Sequence, residues 1–147
     1  MRILGIDPGG TVGLAWFDNP EDHYFCQGYD QVGMDDFPLW LEKHRPIPDL
    51  IVLENYRLWK HRAIQQSGSS LPAAQTIGMA KSYAKIRDIK IIEQSPQILQ
   101  NAEKMSGLSM SGKSHSKTHW VAAYNHVWWY LVKNELAKVE IAEADRL

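Results

Sequence analysis

The sequence predicts an α/β domain built on a mixed β-sheet flanked by helices, and three observations predict it. Two short apolar runs at the N-terminus flank a Pro8-Gly9-Gly10 turn, the pattern of a hairpin. A third, unbroken apolar run, Leu50 to Leu53, lies between Asp49 and Glu54 and reads as a central strand buried on both faces. The stretches between and after these strands carry apolar residues at helical spacing, which supplies the covering layers.

The composition bounds what such a domain can be. At 147 residues the chain fits one domain, 1–147, and can bury a core without disulfide or metal staples. No run approaches the roughly 20 apolar residues of a membrane span, and the N-terminus lacks signal-peptide order, so the expected location is cytoplasmic, with no membrane partner. A lone Cys26 agrees with a reducing compartment and excludes a cysteine metal site. The formal net charge is only -1, yet residues 54–117 hold ten basic against four acidic side chains. That basic middle is the asymmetry of a nucleic-acid surface, although a solvated helix face produces some of it.

Taken in order, the first strand ends on Asp7. An ionisable group there is costly unless water, a partner or a cation compensates it; the alternative is turn chemistry, the Asp side chain bonding its own backbone. Residues 23–29 alternate and read as a third strand antiparallel to the second. Residues 34–44 form a short amphipathic helix opened by Asp35 and Asp36 and ended by Pro46 and Pro48. The buried strand then ends on Glu54. Two neighbouring strands delivering acids to one sheet edge bring carboxylates together, and a divalent cation relieves their repulsion; the competing role for Glu54 is a salt bridge to Arg57 or Lys60.

Residues 56–70 interleave aromatic and basic side chains, among them Arg57, Trp59, Lys60 and Arg62, before turning small and polar. Cation plus aromatic is how proteins hold strand backbones and unstacked bases, so this is the expected DNA-contacting loop. A helix is expected from Pro72 to about Arg87, carrying Lys81 and Lys85 as further phosphate contacts. A strand follows over 89–92, then a helix capped by Ser95-Pro96 to about Lys104. The Ser/Gly/Lys tract over 105–116 is a linker whose Lys113, with Lys117 beside it, could reach phosphates. The last helix is expected over 118–138, with His119, Ala122, Ala123 and His126 along one stripe. Its three tryptophans exceed what one core face needs, which points to pairing with a second chain, and the acidic tail from about 139 is expected to fray.

These pieces resemble the RuvC-like Holliday-junction resolvases of the ribonuclease H-like superfamily. The resemblance rests on Ile3-Leu-Gly-Ile-Asp7-Pro-Gly, the apolar strand ending in Glu54, the Ser95-Pro96 helix with its Gly/Lys linker, and His119-Trp-Val-Ala-Ala123. It implies a five-stranded sheet in the order 3-2-1-4-5, with strands 1 to 3 antiparallel and 4 and 5 parallel to 1. It also implies a homodimer that binds four-way DNA junctions and nicks two symmetric strands with Mg²⁺ or Mn²⁺, two ions per site. The compact length is similar to that of phage-encoded members.

Carried onto this chain, the implied ligands are Asp7, Glu54, His119 and the position three residues further on, an Asp in the family, which here is Ala122. A methyl group cannot replace a hard carboxylate ligand. The expectation is therefore impaired catalysis: either the natural protein is a poor nuclease, or Ala122 is an engineered replacement for Asp, the reading favoured by the intact neighbouring pattern. His126 is expected to pack or hydrogen-bond, with a substitute-ligand role as its competitor. Two other classes stand beside the nuclease: a non-catalytic junction-binding protein, and, from the Asp7-Pro-Gly-Gly-Thr11 turn, an actin-like ATPase or sugar kinase. The second phosphate loop those kinases carry is missing from the sequence.

Overall fold

The structure, a computed structural model, describes residues 1–20, 23–55, 67–109, 119–134 and 138–139. Strands β1 (Arg2–Asp7), β2 (Thr11–Asp18) and β3 (His23–Gly33) form the antiparallel meander. β4 (Leu50–Glu54) returns parallel to β1, and β5 (Lys90–Gln94) lies parallel to β4. The five main strands thus stand in the expected order 3-2-1-4-5. A two-residue strand, β6 (Lys138–Val139), adds to the outer side of β3 through His23 and Tyr24. Lys138 and Val139, expected at a helix end and in a frayed tail, are therefore tied to the sheet edge.

The period-2 alternation of the strands sorts the molecule into three layers. Leu4, Ile6, Val12, Leu14, Ile51 and Leu53 face one way, onto α1 (Phe37–Lys43) and α2 (Ser67–Ile86), where Phe37, Leu41, Ala80, Tyr83 and Ala84 complete a core. Ile3, Ala15, Phe17, Leu50 and Val52 face the other way, onto α4 (His119–Lys133). Behind α4 lies α3 (Leu99–Ser106), whose exit is pinned by Asn125. The Asn125 Nδ2 donates to Leu108 O at 2.9 Å and to Val121 O at 3.0 Å, while Ser106 Oγ donates to Asn125 Oδ1 at 2.6 Å.

Several boundaries differ from expectation for identifiable reasons. β3 runs four residues beyond Tyr29, held by pairing through Thr11↔Gly33. The helix expected from residue 34 begins as a 3₁₀ turn, Met34–Asp36, and becomes α-helical only at Phe37. α2 starts at Ser67 rather than Pro72, so the proline sits inside it: the serine run carries no apolar period to reveal the extra turn. Thr76 Oγ1, fully buried, lies 2.8 Å from Pro72 O and 3.0 Å from Gly9 O, tying α2 to the loop after Asp7. α4 ends at Lys133, five residues early, where Asn134 Nδ2 donates to Tyr130 O and closes the last turn. β5 extends to Gln94, two residues past its expected end.

Much of the aromatic load of α4 is taken up within the chain. Trp128 is in the core, Trp120 stacks on Tyr29 at 4.0 Å between ring centroids, and Trp129 lies under the Lys133 ammonium. Every residue from His119 to Val132 is buried or half-buried, so the tryptophans themselves do not call for a second chain. No helix among the described residues is long and apolar enough to cross a membrane.

Candidate active site

Two glycines set the site by letting α4 sit directly on the sheet. A Cβ at Gly13 would stand 2.0 Å from His119 O, and one at Gly5 would stand 2.4 Å from Ala123 O. Neither side chain is sterically possible without moving the helix, so both strands present bare backbone to it. Trp120 N at the helix start donates to Gln31 Oε1 of β3 at 3.2 Å, which fixes the entry of the chain.

The strand register then brings a polar row under the helix. Gly13 pairs with Asp7, Ile6 with Leu53, and Glu54 with Gln94, so Gly13, Asp7, Glu54 and Gln94 follow one another across one edge of the sheet. Alternation turns Asp7 and Glu54 to the same face as Gly5 and Val52, the face α4 covers. Asp7 is 7% exposed and Glu54 1%. His119 Nδ1 is 3.2 Å from Asp7 Oδ2, and one helical stripe further on His126 Nε2 is 3.1 Å from Glu54 Oε1. Ala122, 2% exposed, occupies the same stripe between the two histidines.

The electrostatics follow from this packing. Burial pushes the Asp7 carboxyl up to about 7; the hydrogen bond from His119 opposes that rise, and the neighbouring Glu54 charge reinforces it. His119 is raised above its ordinary value, first by its bond to Asp7, against the effect of its own burial. Asp7 therefore bonds across to α4 and faces Glu54, rather than closing its own turn.

A hard divalent cation fits this donor set in part. Two buried carboxylates held against each other are the oxygen ligands Mg²⁺ and Mn²⁺ take, and a cation between them would offset the burial, and relieve the smaller repulsion from Glu54, that lift Asp7. Yet no three His, Cys, Asp or Glu side chains among the described residues form a ready-made metal cage. His119 is turned onto Asp7, and position 122 offers only a methyl.

Of the expected DNA contacts, Arg57, Trp59, Lys60, Arg62, Lys113 and Lys117 lie outside the described residues. Lys81 and Lys85 are on α2, across the sheet from the carboxylates. Lys81 forms an ion pair with Glu93, and Lys85 is exposed roughly 13 Å along the helix axis from Thr76, the residue that touches the Asp7 loop. The fold does not bring these two lysines to the acids. It does bring in Gln94, a residue the sequence did not single out; the parallel register of β5 beside Glu54 was the signal that could have found it.

Comparison with solved structures gives the same architecture. Thermus thermophilus RuvC in complex with a Holliday junction substrate aligns with a TM-score of 0.66 at 14% identity, over 94% of this chain and 98% of that one. The fold is that of the RuvC-like resolvases. RuvC from the same organism in a second structure aligns at 0.65 and 14% identity, covering 94% and 99%. The Fowlpox virus resolvase, in complex with Holliday junction DNA, aligns at 0.62 and 14% identity, covering 91% and 99%. No protein-family model matches the sequence, and no curated protein matches it.

Proposed function

We propose that the chain is a Holliday-junction resolvase whose nuclease centre is Asp7, Glu54, His119 and the position of Ala122, and that Ala122 leaves that centre impaired. The observation that carries the reading is the pair of buried carboxylates delivered by β1 and β4 to one face, with His119 docked on Asp7. The fold of two junction-bound resolvases supports branched DNA as the substrate class.

Asp7 and Glu54 would hold the cation, with His119 as the third donor once its ring leaves the Asp7 oxygen. Mg²⁺ or Mn²⁺, two per complete centre, supplies Lewis-acid stabilisation of phosphodiester hydrolysis. The chain's own part is positional. Gly5 and Gly13 keep α4 close enough for His119 to reach Asp7, and the register of β1 with β4 keeps the two carboxylates adjacent. A carboxylate at 122 would project from the stripe between His119 and His126 and complete the oxygen donors. Symmetric nicking of a four-way junction further requires two copies of the centre, hence a homodimer. The basic residues of 57–62, with Lys113 and Lys117, are the proposed DNA contacts, so affinity falls with salt as counterions are released.

A second reading, a junction-binding protein that does not cut, is favoured by the methyl at 122. One experiment separates them: binding and cleavage of a four-way junction and a matched duplex, with and without Mn²⁺, by this chain and by Ala122→Asp. Selective junction binding by both, with cleavage by Ala122→Asp only, supports the resolvase. Selective binding with no cleavage by either supports the second reading, and no junction preference in either overturns both.

A further inference from the structure

Glu54 is gripped from behind by two residues that the proposed centre does not use as ligands. His126 is fully buried, and Gln94 reaches it from β5, the strand beside Glu54. The Gln94 amide nitrogen lies 2.8 Å from His126 O and 3.1 Å from His126 Nδ1. A backbone carbonyl can only accept, so the group facing it is the amide NH₂, whose second hydrogen is then directed at Nδ1. Nδ1 becomes an acceptor, the imidazole proton sits on Nε2, and Nε2 donates it to Glu54 Oε1 at 3.1 Å. Both ring nitrogens are thereby committed, one to each neighbouring strand.

We propose that His126, locked by Gln94 in the Nε2-protonated form, is a positioning residue that orients the Glu54 carboxylate and is not itself a metal ligand. The inference rests on the reading of Glu54 as a cation ligand. Its physical content is that an acid on a strand end can rotate about its side-chain torsions, and a fixed donor on one oxygen selects one orientation, the one in which the carboxyl also meets Asp7. Groups that orient a metal-binding side chain in this way change metal affinity by about 10- to 100-fold when removed.

The test uses the Ala122→Asp protein with ¹⁵N-labelled histidine. Magnetic resonance in the absence of metal is expected to show His126 with Nδ1 bare and Nε2 protonated, and titration with Mg²⁺ is expected to leave that proton in place. Loss of the Nε2 proton on adding Mg²⁺, or the opposite tautomer at the start, overturns the proposal, because His126 would then be a ligand or Gln94 would not set it. Mn²⁺ calorimetry on the same background provides the second arm. His126→Leu is expected to weaken binding at least about tenfold. His126→Gln, which keeps a donor near the Nε2 position, is expected to recover most of it, and Gln94→Leu to give a smaller loss. Circular dichroism checks that each variant is folded, and Gln94→Leu carries the calorimetric arm should His126→Leu unfold. Equal affinity across the folded variants overturns the positioning role while leaving the resolvase reading standing. Absence of Mn²⁺ binding by the Ala122→Asp parent overturns both.

Discussion

β1 begins and ends with a charge, and its two ends solve the same problem in opposite ways. At its start Arg2, 8% exposed, forks onto Asp18 with Nε to Oδ1 and Nη2 to Oδ2, each at 2.8 Å. Its backbone N–H donates to Asp49 Oδ2 at 2.7 Å, and Nη1 to Arg45 O at 3.1 Å. Burial and the adjacent Arg2 charge lower His44 to about 4, so the ring that stacks on Trp40 stays uncharged. At its other end Asp7 meets Glu54, a like charge, and both acids are answered by imidazoles instead of guanidinium. One end is closed by its own chain; the other holds carboxylates that a cation would complete. The histidines report the difference, His44 pushed down and His119 pushed up.

The largest way to break the contrast is Gly13→Ala, which lifts α4 from the acid end and leaves the Arg2 end untouched. A Cβ 2.0 Å from His119 O must displace backbone, and the expected loss is about 3 kcal/mol in denaturant unfolding. Next comes Arg2→Ala, which strands Asp18 without its fork and should cost about 2 to 3 kcal/mol. Asp7→Asn has the opposite sign. The Asp7 carboxyl is raised from 3.8 to about 7, so its contribution to stability is fully present below 3.8 and is lost as pH rises through about 7. The raised His119 acts in the same direction. Asp7→Asn should therefore be more stable than the parent at pH 8 by about 1 to 2 kcal/mol in denaturant unfolding, and show no such gain at pH 4. The smallest effect belongs to Arg87→Ala on α2's end, an ion pair with Glu42 that is over half exposed on the acid side, where a change under about 1 kcal/mol is expected.

Much of this contrast was legible in the sequence, and the remainder was not, for physical reasons. Apolar runs ending in Asp7 and Glu54 announced both the strands and the acid pair, because strand burial and alternation are written in residue type. The stripe of His119, Ala122 and His126 was likewise visible from helical period. What period could not give was the partner of each histidine, since that depends on strand register and on how closely α4 approaches. The role of Gly5 and Gly13 emerges only once the helix is placed on them. Gln94 was missed because β5 was ended at its last apolar residue, although a polar strand end beside Glu54 is where a hydrogen-bonding partner belongs. The tryptophans of α4 pointed to a second chain by their count alone, which could not show that Trp128 enters the core and Trp120 stacks on Tyr29 of β3. Arg2, read as part of an apolar opening run, proved to be the counterweight of the whole arrangement.

The central claim is that the acid end is a nuclease centre lacking one carboxylate at 122. The most direct measurement is Mn²⁺-dependent nicking of a four-way junction by this chain and by Ala122→Asp at matched protein, salt and metal. The expected result is a gain of about two orders of magnitude or more in cleavage rate with little change in junction affinity. Folded, junction-binding Ala122→Asp protein that cuts no faster than the parent would contradict it.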